Sequence, residues 1–331
     1  MGQNVETRVS KDNMNPVLNE LPSPLTVNGS ARQVGVEVEV GKLTAEEIAK
    51  GISQICGGAA REIGVHSWLV ESTEFGDVEV YLDTRFRKDA ESWLAKSGLD
   101  LAQLVVPVEI VTPPMPPSLL TRLDEVVCAL ARQGAVGTSA GILLGFGVHL
   151  NVEIADKTAA HIGGVATSFA LLEDALRTSM QIDTSRRLLP FAAPYPLSLI
   201  DRLVAERCNK IDDVIALYVD ENPTRNCSLD LMPILMDLAP ELVADRVRDK
   251  GISARPTFHY RLPDCRLDEA GWSITREWNR WTIVEQAAHA EILSKLCSAW
   301  LEHRADGQGK GSVWAAKSVN ILNAHGLAIP V

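Results

Sequence analysis

The sequence has no run of apolar residues long enough to cross a membrane. Its longest candidate, residues 142–148, is interrupted by glycine, whereas a membrane-spanning helix needs about 20 apolar residues. The N-terminal segment is polar and lacks the apolar core of a signal peptide. We therefore expect a cytoplasmic protein with no membrane partner.

Basic residues are too few for a nucleic-acid-binding surface. The chain has 32 Lys and Arg against 43 Asp and Glu, which gives a net charge of −11. The basic residues also form no cluster along the sequence. Binding to a phosphate backbone depends on such a cluster, so we expect no nucleic-acid partner.

Closely spaced cysteines are also missing. The six cysteines lie far apart and none forms a Cys-x-x-Cys pair, which is typical of reduced thiols in a cytosolic protein. With 331 residues, of which 46% are hydrophobic, the chain can bury a core without disulfides. Residues 1–28 show no periodicity and are predicted to form a disordered tail. Residues 29–331 are predicted to form a single catalytic domain.

Helices and strands alternate in the ordered part of the chain. Apolar residues at helical spacing predict helices at residues 44–57, 117–134, 159–182, 197–205, 229–238, 241–250, 278–303 and 313–325. Strict alternation of apolar and polar residues, which a pleated strand imposes, predicts strands at residues 34–40, 77–83, 106–110, 147–154 and 257–262. Residues 66–72 form a less regular candidate strand.

The polar faces of these strands are rich in acid. They carry Glu37, Glu39, Asp77, Glu79, Asp83, Glu109 and Glu153, beside His149, His259 and Arg261. For any one strand, the solvated face of an antiparallel sheet explains such a pattern. Like charges that face each other across strands are destabilising, however, and no lysine lies on these strands. A hard divalent metal ion, which prefers carboxylate oxygens, would balance the charge.

The order of the motifs resembles a known family. The motifs are GVEVE at residues 35–39, FGDVEVYLD at 75–83, VEIVTPP at 108–114, FGVHLN at 146–151, NPTRN at 222–226 and TFHYRLP at 257–263. In this order they resemble the amidoligase family, the carboxylate–amine ligases related to glutamine synthetase and glutamate–cysteine ligase. The resemblance runs from about residue 34 to residue 264.

The resemblance implies a fold and a reaction. The fold is α+β, with a curved and mostly antiparallel glutamine-synthetase-like sheet, backed by helices, whose concave face binds metal and nucleotide. In the reaction, ATP phosphorylates a carboxylate substrate to an acyl phosphate, and an amine substrate then displaces phosphate to form an amide. The implied cofactors are ATP and Mg²⁺ or Mn²⁺. Phosphoryl transfer depends mainly on charge neutralisation and alignment, which suits an acidic, metal-binding face.

The same resemblance assigns roles to residues by their position in the motifs. Glu37 and Glu39 correspond to the metal ligands of the first strand, and Glu109 to the acid of the third. Asp83 corresponds to the acid of the second strand, with Glu79 as the alternative. His149 corresponds to a histidine that binds metal near the phosphates, with Asn151 beside it. Arg225 and Arg261 correspond to arginines that hold phosphate or the transferring group, for which guanidinium is suited.

One position departs from the family pattern. The relatives commonly carry Glu two residues before the final Arg, whereas this chain has His259 before Arg261. A neutral imidazole binds divalent metals but prefers softer ions than Mg²⁺. The substitution is compatible with a changed metal preference, with a changed general base, or with a nucleotide- or metal-binding protein that has no catalytic activity. A metal-dependent amide hydrolase is a further alternative, because a carboxylate cluster alone permits it.

Overall fold

A single antiparallel sheet organises the fold. The computed structural model describes residues 16–83, 106–138, 145–183, 186, 192–244, 246–247 and 251–331. The strands are β1 (Val34–Val40), β2 (Ala59–Gly64), β3 (Ser67–Thr73), β4 (Gly76–Leu82), β5 (Val108–Val111), β6 (Val148–Glu153), β7 (Leu229–Asp230) and β8 (Thr257–Tyr260). They form one eight-stranded sheet in the order β2-β3-β4-β5-β1-β6-β8-β7. The predicted antiparallel sheet backed by helices is thereby confirmed.

The helices lie between and after the strands in sequence and cover the apolar side of the sheet. They are α1 (Ala45–Cys56), α2 (Leu120–Arg132), α3 (Ala159–Met180), α4 (Leu197–Glu206), α5 (Ile211–Glu221), α6 (Met232–Leu238), α7 (Pro240–Ala244), α8 (Ile274–Ala287), α9 (Ala290–Ala305) and α10 (Ser312–Ala324). Helix α1 packs on β2, β3 and β4. In α8, Trp281 contacts the rings of Phe258 and Tyr260 on β8. None of the helices in these described ranges is both long and apolar enough to cross a membrane.

The alternation in the strands decides which side chains are buried. In β1, Val34, Val36, Val38 and Val40 all have 0% exposed surface. Successive strand residues point to opposite faces, so Glu37 and Glu39 lie on the other face of the sheet. The valine face of β1 packs against the helices. The carboxylates on the opposite face are therefore held by a rigid strand.

Several element boundaries differ from those predicted. Strand β2 and helix α5 were not predicted, and the predicted helix at residues 229–238 begins with the short strand β7 before α6. The long helix predicted at residues 278–303 is two helices, α8 and α9, that meet at residues 288–289. The predicted helix at 241–250 corresponds to α7, and its residues 245 and 248–250 lie outside the described residues.

Part of the predicted tail makes specific contacts with the rest of the protein. Residues 1–15 lie outside the described residues, but Val17 and Asn19 of the predicted tail contact α8. The backbone N–H of Asn19 donates to Asn279 Oδ1 at 2.9 Å, and Trp278 Nε1 donates to the Asn19 carbonyl at 2.8 Å. Leu21 is buried in the core. At Asn19 the backbone N–H is satisfied by a side chain 260 positions away, and not by a local helix or strand.

A buried ion pair joins this segment to the sheet and to α8. Arg32 and Glu285 form two hydrogen bonds, of 2.8 Å and 2.7 Å, and their side chains are 0% and 2% exposed. Arg32 also donates from Nε to the Glu153 carbonyl at the end of β6, at 2.6 Å, and to the Ser23 carbonyl. One guanidinium thus links three parts of the chain that are distant in sequence.

Candidate functional site

The strand register brings the polar residues onto one face. Glu39 faces Glu109 across β1 and β5, and Glu37 faces His149 across β1 and β6. His259 on β8 faces Asn151 on one side and Asp230 of β7 on the other. The predicted coincidence of the polar faces is therefore seen in the structure. We call this surface the acidic face, and its members near the centre of the sheet are Glu37, Glu39, Asp83, Glu109, His149, Asn151, Asp230, His259 and Arg261.

Glu39 and Glu109 form one end of the acidic face. Both are buried, with 5% and 7% of their surfaces exposed. Burial raises the pKa of Glu39 to about 7, against the opposing charge of Arg186. Burial also raises the pKa of Glu109, and the nearby charges of Glu37 and Glu39 raise it further. Two carboxyls with raised pKa values on neighbouring strands favour a cation between them, because a cation would stabilise both charged forms.

Asp83 and Glu79 differ in burial and in their influence on the Glu39 and Glu109 carboxyls. Asp83 is half-buried at the end of β4, and its charge contributes to the raised pKa values of both Glu39 and Glu109. Glu79 shares the face but is exposed, and the residue across from it on β5 is Val111. Of the two alternatives for the second-strand acid, the structure therefore brings Asp83, and not Glu79, to the carboxylate pair.

Glu37 and His149 form the centre of the face. The Glu37 carboxylate accepts a hydrogen bond from His149 Nδ1 at 2.9 Å and another from Asn151 Nδ2 at 2.8 Å. Burial lowers the pKa of His149 to about 3, so the imidazole is neutral. Burial acts to raise the pKa of Glu37. The interactions of its carboxylate with His259 and His149 have a larger, opposite effect, so the pKa lies well below the usual value. A neutral His149 that donates from Nδ1 directs its Nε2 lone pair toward Glu39, whose Oε1 is 3.7 Å away.

His259 lies between two carboxylates without a hydrogen bond to either. Its Nε2 is 3.7 Å from Glu37 Oε2, and its Nδ1 is 3.6 Å from Asp230 Oδ2. The residue is 4% exposed, and neither ring nitrogen has a hydrogen-bond partner. The rings of His259 and His149 are 5.3 Å apart at an interplanar angle of 71°. Glu37, His149 and His259 each offer a ligand atom, and these atoms lie within 4.8 Å of one another.

The two predicted arginines differ in how many of their guanidinium nitrogens already have hydrogen-bond partners. Arg225 donates to Asp230 Oδ2 and to the Gly251 carbonyl, each at 3.2 Å, so its guanidinium supports Asp230. Arg261 donates from one terminal nitrogen to the Arg225 carbonyl at 2.9 Å, while its buried Nε has no partner. Of the two, Arg261 is therefore better placed to hold an anion above the face.

Three further charged residues of the site were not predicted from the sequence. Asp230 belongs to a strand of two residues, which is too short for a detectable periodicity. Arg255 lies two residues before β8, and its guanidinium is 3.8 Å from Glu37 Oε1. Arg186 is 3% exposed and donates to the carbonyls of Gly145 and Arg261, at 2.9 Å and 2.5 Å.

Gly147 explains how Arg186 reaches the sheet. A Cβ atom at residue 147 would lie 2.4 Å from a terminal nitrogen of Arg186, closer than any real contact. The missing side chain lets the guanidinium lie flat against the start of β6, where the Gly147 N–H donates to Glu39 Oε2 at 2.6 Å. The FGVH motif is thus the one sequence signal that could have indicated a group packed over this position.

The arrangement provides ligands for cations and for anions within one site. Carboxylate oxygens and imidazole nitrogens are ligands of divalent metals, and guanidinium groups bind phosphate oxygens. The unpartnered nitrogens of His259 and the unpartnered Oδ1 of Asn151 are buried on the same face. Such groups are costly unless a ligand or water satisfies them, so the residues present fit a bound divalent metal.

Comparison with known proteins agrees with the geometry. No curated protein and no solved structure shows significant similarity to the chain. The sequence profile of the family described as "Putative amidoligase enzyme" matches residues 30–283, which is more than half of the chain and includes every member of the acidic face. The resemblance that the motifs indicate is thereby confirmed: the chain belongs to the putative amidoligase enzyme family.

Proposed function

We propose that the protein is an ATP-dependent carboxylate–amine ligase whose active site is the acidic face. The observation that supports this most strongly is the combination on one sheet face of buried carboxylates, imidazoles and guanidinium groups. Family membership supports amide-bond formation. The use of ATP, the acyl-phosphate intermediate and the divalent metal are our proposal.

In the proposed reaction, an oxygen of the substrate carboxylate attacks the γ-phosphorus of ATP. The new O–P bond forms while the bond to the β–γ bridging oxygen breaks, and ADP leaves. The amine nitrogen then attacks the acyl carbon. The C–O bond to phosphate breaks with its electron pair, and the departing phosphate takes up the proton lost by the amine. Both steps build charge on oxygen atoms that the surrounding residues must stabilise.

The oxygen and nitrogen donors of the acidic face would hold the divalent metal. Glu39, Glu109 and Asp83 offer oxygens at one end, and Glu37, His149 and His259 offer ligands at the other. A bound Mg²⁺ or Mn²⁺ would neutralise the charge of the triphosphate and align its γ-phosphoryl group. The carboxylates need no large movement for this role, because β1 and β5 already hold them on one face.

The arginines would bind the anionic groups. Arg261 lies beside the carboxylates, and we assign it to the transferring phosphoryl group. We assign Arg186 to positioning Arg261, because its two terminal nitrogens donate to the Gly145 and Arg261 carbonyls. We assign Arg225 to positioning, because its guanidinium is occupied by Asp230 and by the Gly251 carbonyl.

Reduced thiols and ATP are both available in the cytoplasm, which we propose as the location of the reaction. All six cysteines are free, as this location requires.

Phosphate release tests the proposed reaction. The full chain is incubated with ATP and Mg²⁺ or Mn²⁺, and a panel of small carboxylates is combined with a panel of amines. We expect phosphate release to require one member of each panel and to match the amide formed, detected by mass spectrometry. ATP consumption that is unaffected by both panels would contradict a ligase.

A metal-dependent amide hydrolase is a second candidate. Two imidazoles and one carboxylate, as in Glu37, His149 and His259, are the ligand types of catalytic zinc sites in hydrolases. A hydrolase would cleave amides without ATP. Incubation of the metal-loaded protein with amide products, in the absence of nucleotide, separates the two candidates, because a ligase requires ATP for synthesis and leaves these amides intact.

Metal affinity is expected to rise with pH below about pH 7. The pKa of Glu39 is raised to about 7 in the metal-free protein, so a proton must leave before its carboxylate can bind a cation. Each such proton makes the affinity increase by about tenfold per pH unit below the pKa. Neutral His149, whose pKa is lowered to about 3, adds no competing proton in this range. Calorimetric titration of the metal at several pH values measures the slope, and a slope that does not decrease in Glu39→Gln would contradict the assignment.

A further inference from the structure

We infer that Glu37, His149 and His259, supported by Asp230, form a position that binds a transition metal ion such as Co²⁺ or Zn²⁺ in preference to Mg²⁺. The role of this ion in amide formation rests on the proposed function. The binding itself does not, because it is a property of these four residues and can be measured without nucleotide.

The donor atoms favour a transition metal. Mg²⁺ prefers oxygen ligands in octahedral geometry, whereas imidazole nitrogen suits Zn²⁺, Co²⁺ and related ions. Two of the three side chains whose ligand atoms lie within 4.8 Å of one another are imidazoles. At the other end of the acidic face, Glu39, Glu109 and Asp83 offer oxygen only. The donors around His259 and Glu37 are therefore richer in nitrogen than those around Glu109 and Asp83, with His149 between them, and they favour Zn²⁺ or Co²⁺ over Mg²⁺.

His259 is oriented as metal-binding histidines are. Its Nδ1 faces Asp230 at 3.6 Å and its Nε2 faces Glu37 at 3.7 Å. Asp230 is 0% exposed and is held by Arg225, so a charged carboxylate stands behind the ring. A carboxylate beside one ring nitrogen favours the tautomer that carries its proton there and leaves the other nitrogen free for a metal. Nε2 is therefore the ligand atom of His259, and it points into the group formed with Glu37 and His149.

The burial of His259 supports this orientation independently. The residue is 4% exposed, yet both of its nitrogens lack a hydrogen-bond partner. A buried polar group without a partner costs about 1–3 kcal/mol, and a structural histidine in the core would be expected to have at least one. His161 shows the contrast, because its Nε2 accepts the backbone N–H of Ala155 at 3.0 Å.

Titration with Co²⁺ tests the inference. The full chain is stripped with a chelator, and Co²⁺ is added in the absence of ATP while the visible ligand-field absorption is followed. We expect a band that saturates and that a large excess of Mg²⁺ does not remove. His259→Gln is expected to weaken Co²⁺ binding by at least about 100-fold, and Asp230→Asn by about 10- to 100-fold. His289→Gln, which changes an exposed histidine, is the matched control and should bind Co²⁺ as the native chain does.

His259→Glu provides the reciprocal test. It replaces nitrogen by oxygen at the same place, so we expect weaker Co²⁺ binding and tighter Mg²⁺ binding than in His259→Gln. Thermal melting in chelator checks that each variant folds. An unchanged Co²⁺ band in His259→Gln, or displacement of Co²⁺ by equimolar Mg²⁺ in the native chain, would overturn the inference. Tight Co²⁺ binding without any ATP binding would leave the metal position intact and would remove only the proposed function.

Discussion

Glu39→Gln is expected to lower the rate of amide formation by at least about 100-fold. Changing a residue that merely supports a metal ligand costs about 10- to 100-fold, and Glu39 is placed to bind the cation directly. Its carboxylate lies opposite Glu109, accepts the Gly147 N–H and is 3.7 Å from His149. Glutamine keeps the size of the side chain but removes the charge that a divalent metal requires. Phosphate release at saturating substrate, compared with the native chain, measures the loss.

Glu79→Gln is the matched control for this prediction. Glu79 has the same chemistry and lies on the same sheet face, but it is exposed and faces Val111. We expect its substitution to change the rate by no more than about 3-fold, as is usual for a surface charge with no buried partner. Equal losses in the two variants would mean that the general charge of the face, and not the buried carboxylates, supports the activity.

Arg32→Met is expected to lower the free energy of unfolding by about 3–5 kcal/mol, the usual cost of removing one partner of a buried ion pair. Methionine fills much of the space but leaves the Glu285 carboxylate, 2% exposed, with Trp281 Nε1 as its remaining donor. The substitution also removes the bond to the Glu153 carbonyl at the end of β6. Denaturation by urea, followed by circular dichroism, measures the change.

Two controls separate burial from charge. Lys50→Met removes the cation of an exposed pair with Glu46, whose side chains are more than half exposed, and should cost less than about 1 kcal/mol. The double variant Arg32→Met with Glu285→Met should be more stable than Arg32→Met alone, because no uncompensated charge remains buried. If Arg32→Met were as mild as Lys50→Met, the ion pair would not hold the N-terminal segment to α8.

The acidic face could be predicted because it depends on local alternation. In β1, β4 and β6 each polar residue is separated from the next by one apolar residue. Residues i, i+2 and i+4 of a strand lie on the same face, so the sequence alone determines which side chains share a face. Placing Glu37, Glu39, Glu109, His149 and His259 together required only that these strands belong to one sheet. The choice between Asp83 and Glu79 required the register with β5, which the alternation alone does not contain.

The parts that could not be predicted depend on contacts between distant residues. Arg186 belongs to none of the predicted helices or strands, and it packs against the start of β6 only because Gly147 leaves room for it. Asp230 is part of a strand too short to show alternation. The N-terminal segment owes its order to Asn279 and Trp278 of α8. In each case the partner is supplied by tertiary packing, and nothing in the neighbouring sequence specifies it.

The measurement that tests the central claim most directly is a calorimetric titration of ATP. It compares the native chain with Glu37→Gln, each with and without Mg²⁺ or Mn²⁺, and with Glu79→Gln as the control. If the acidic face is the nucleotide site, the native chain and Glu79→Gln bind ATP only when metal is present, and Glu37→Gln loses this binding. Metal-dependent ATP binding that is equally strong in Glu37→Gln, or no ATP binding with any metal, would contradict the account.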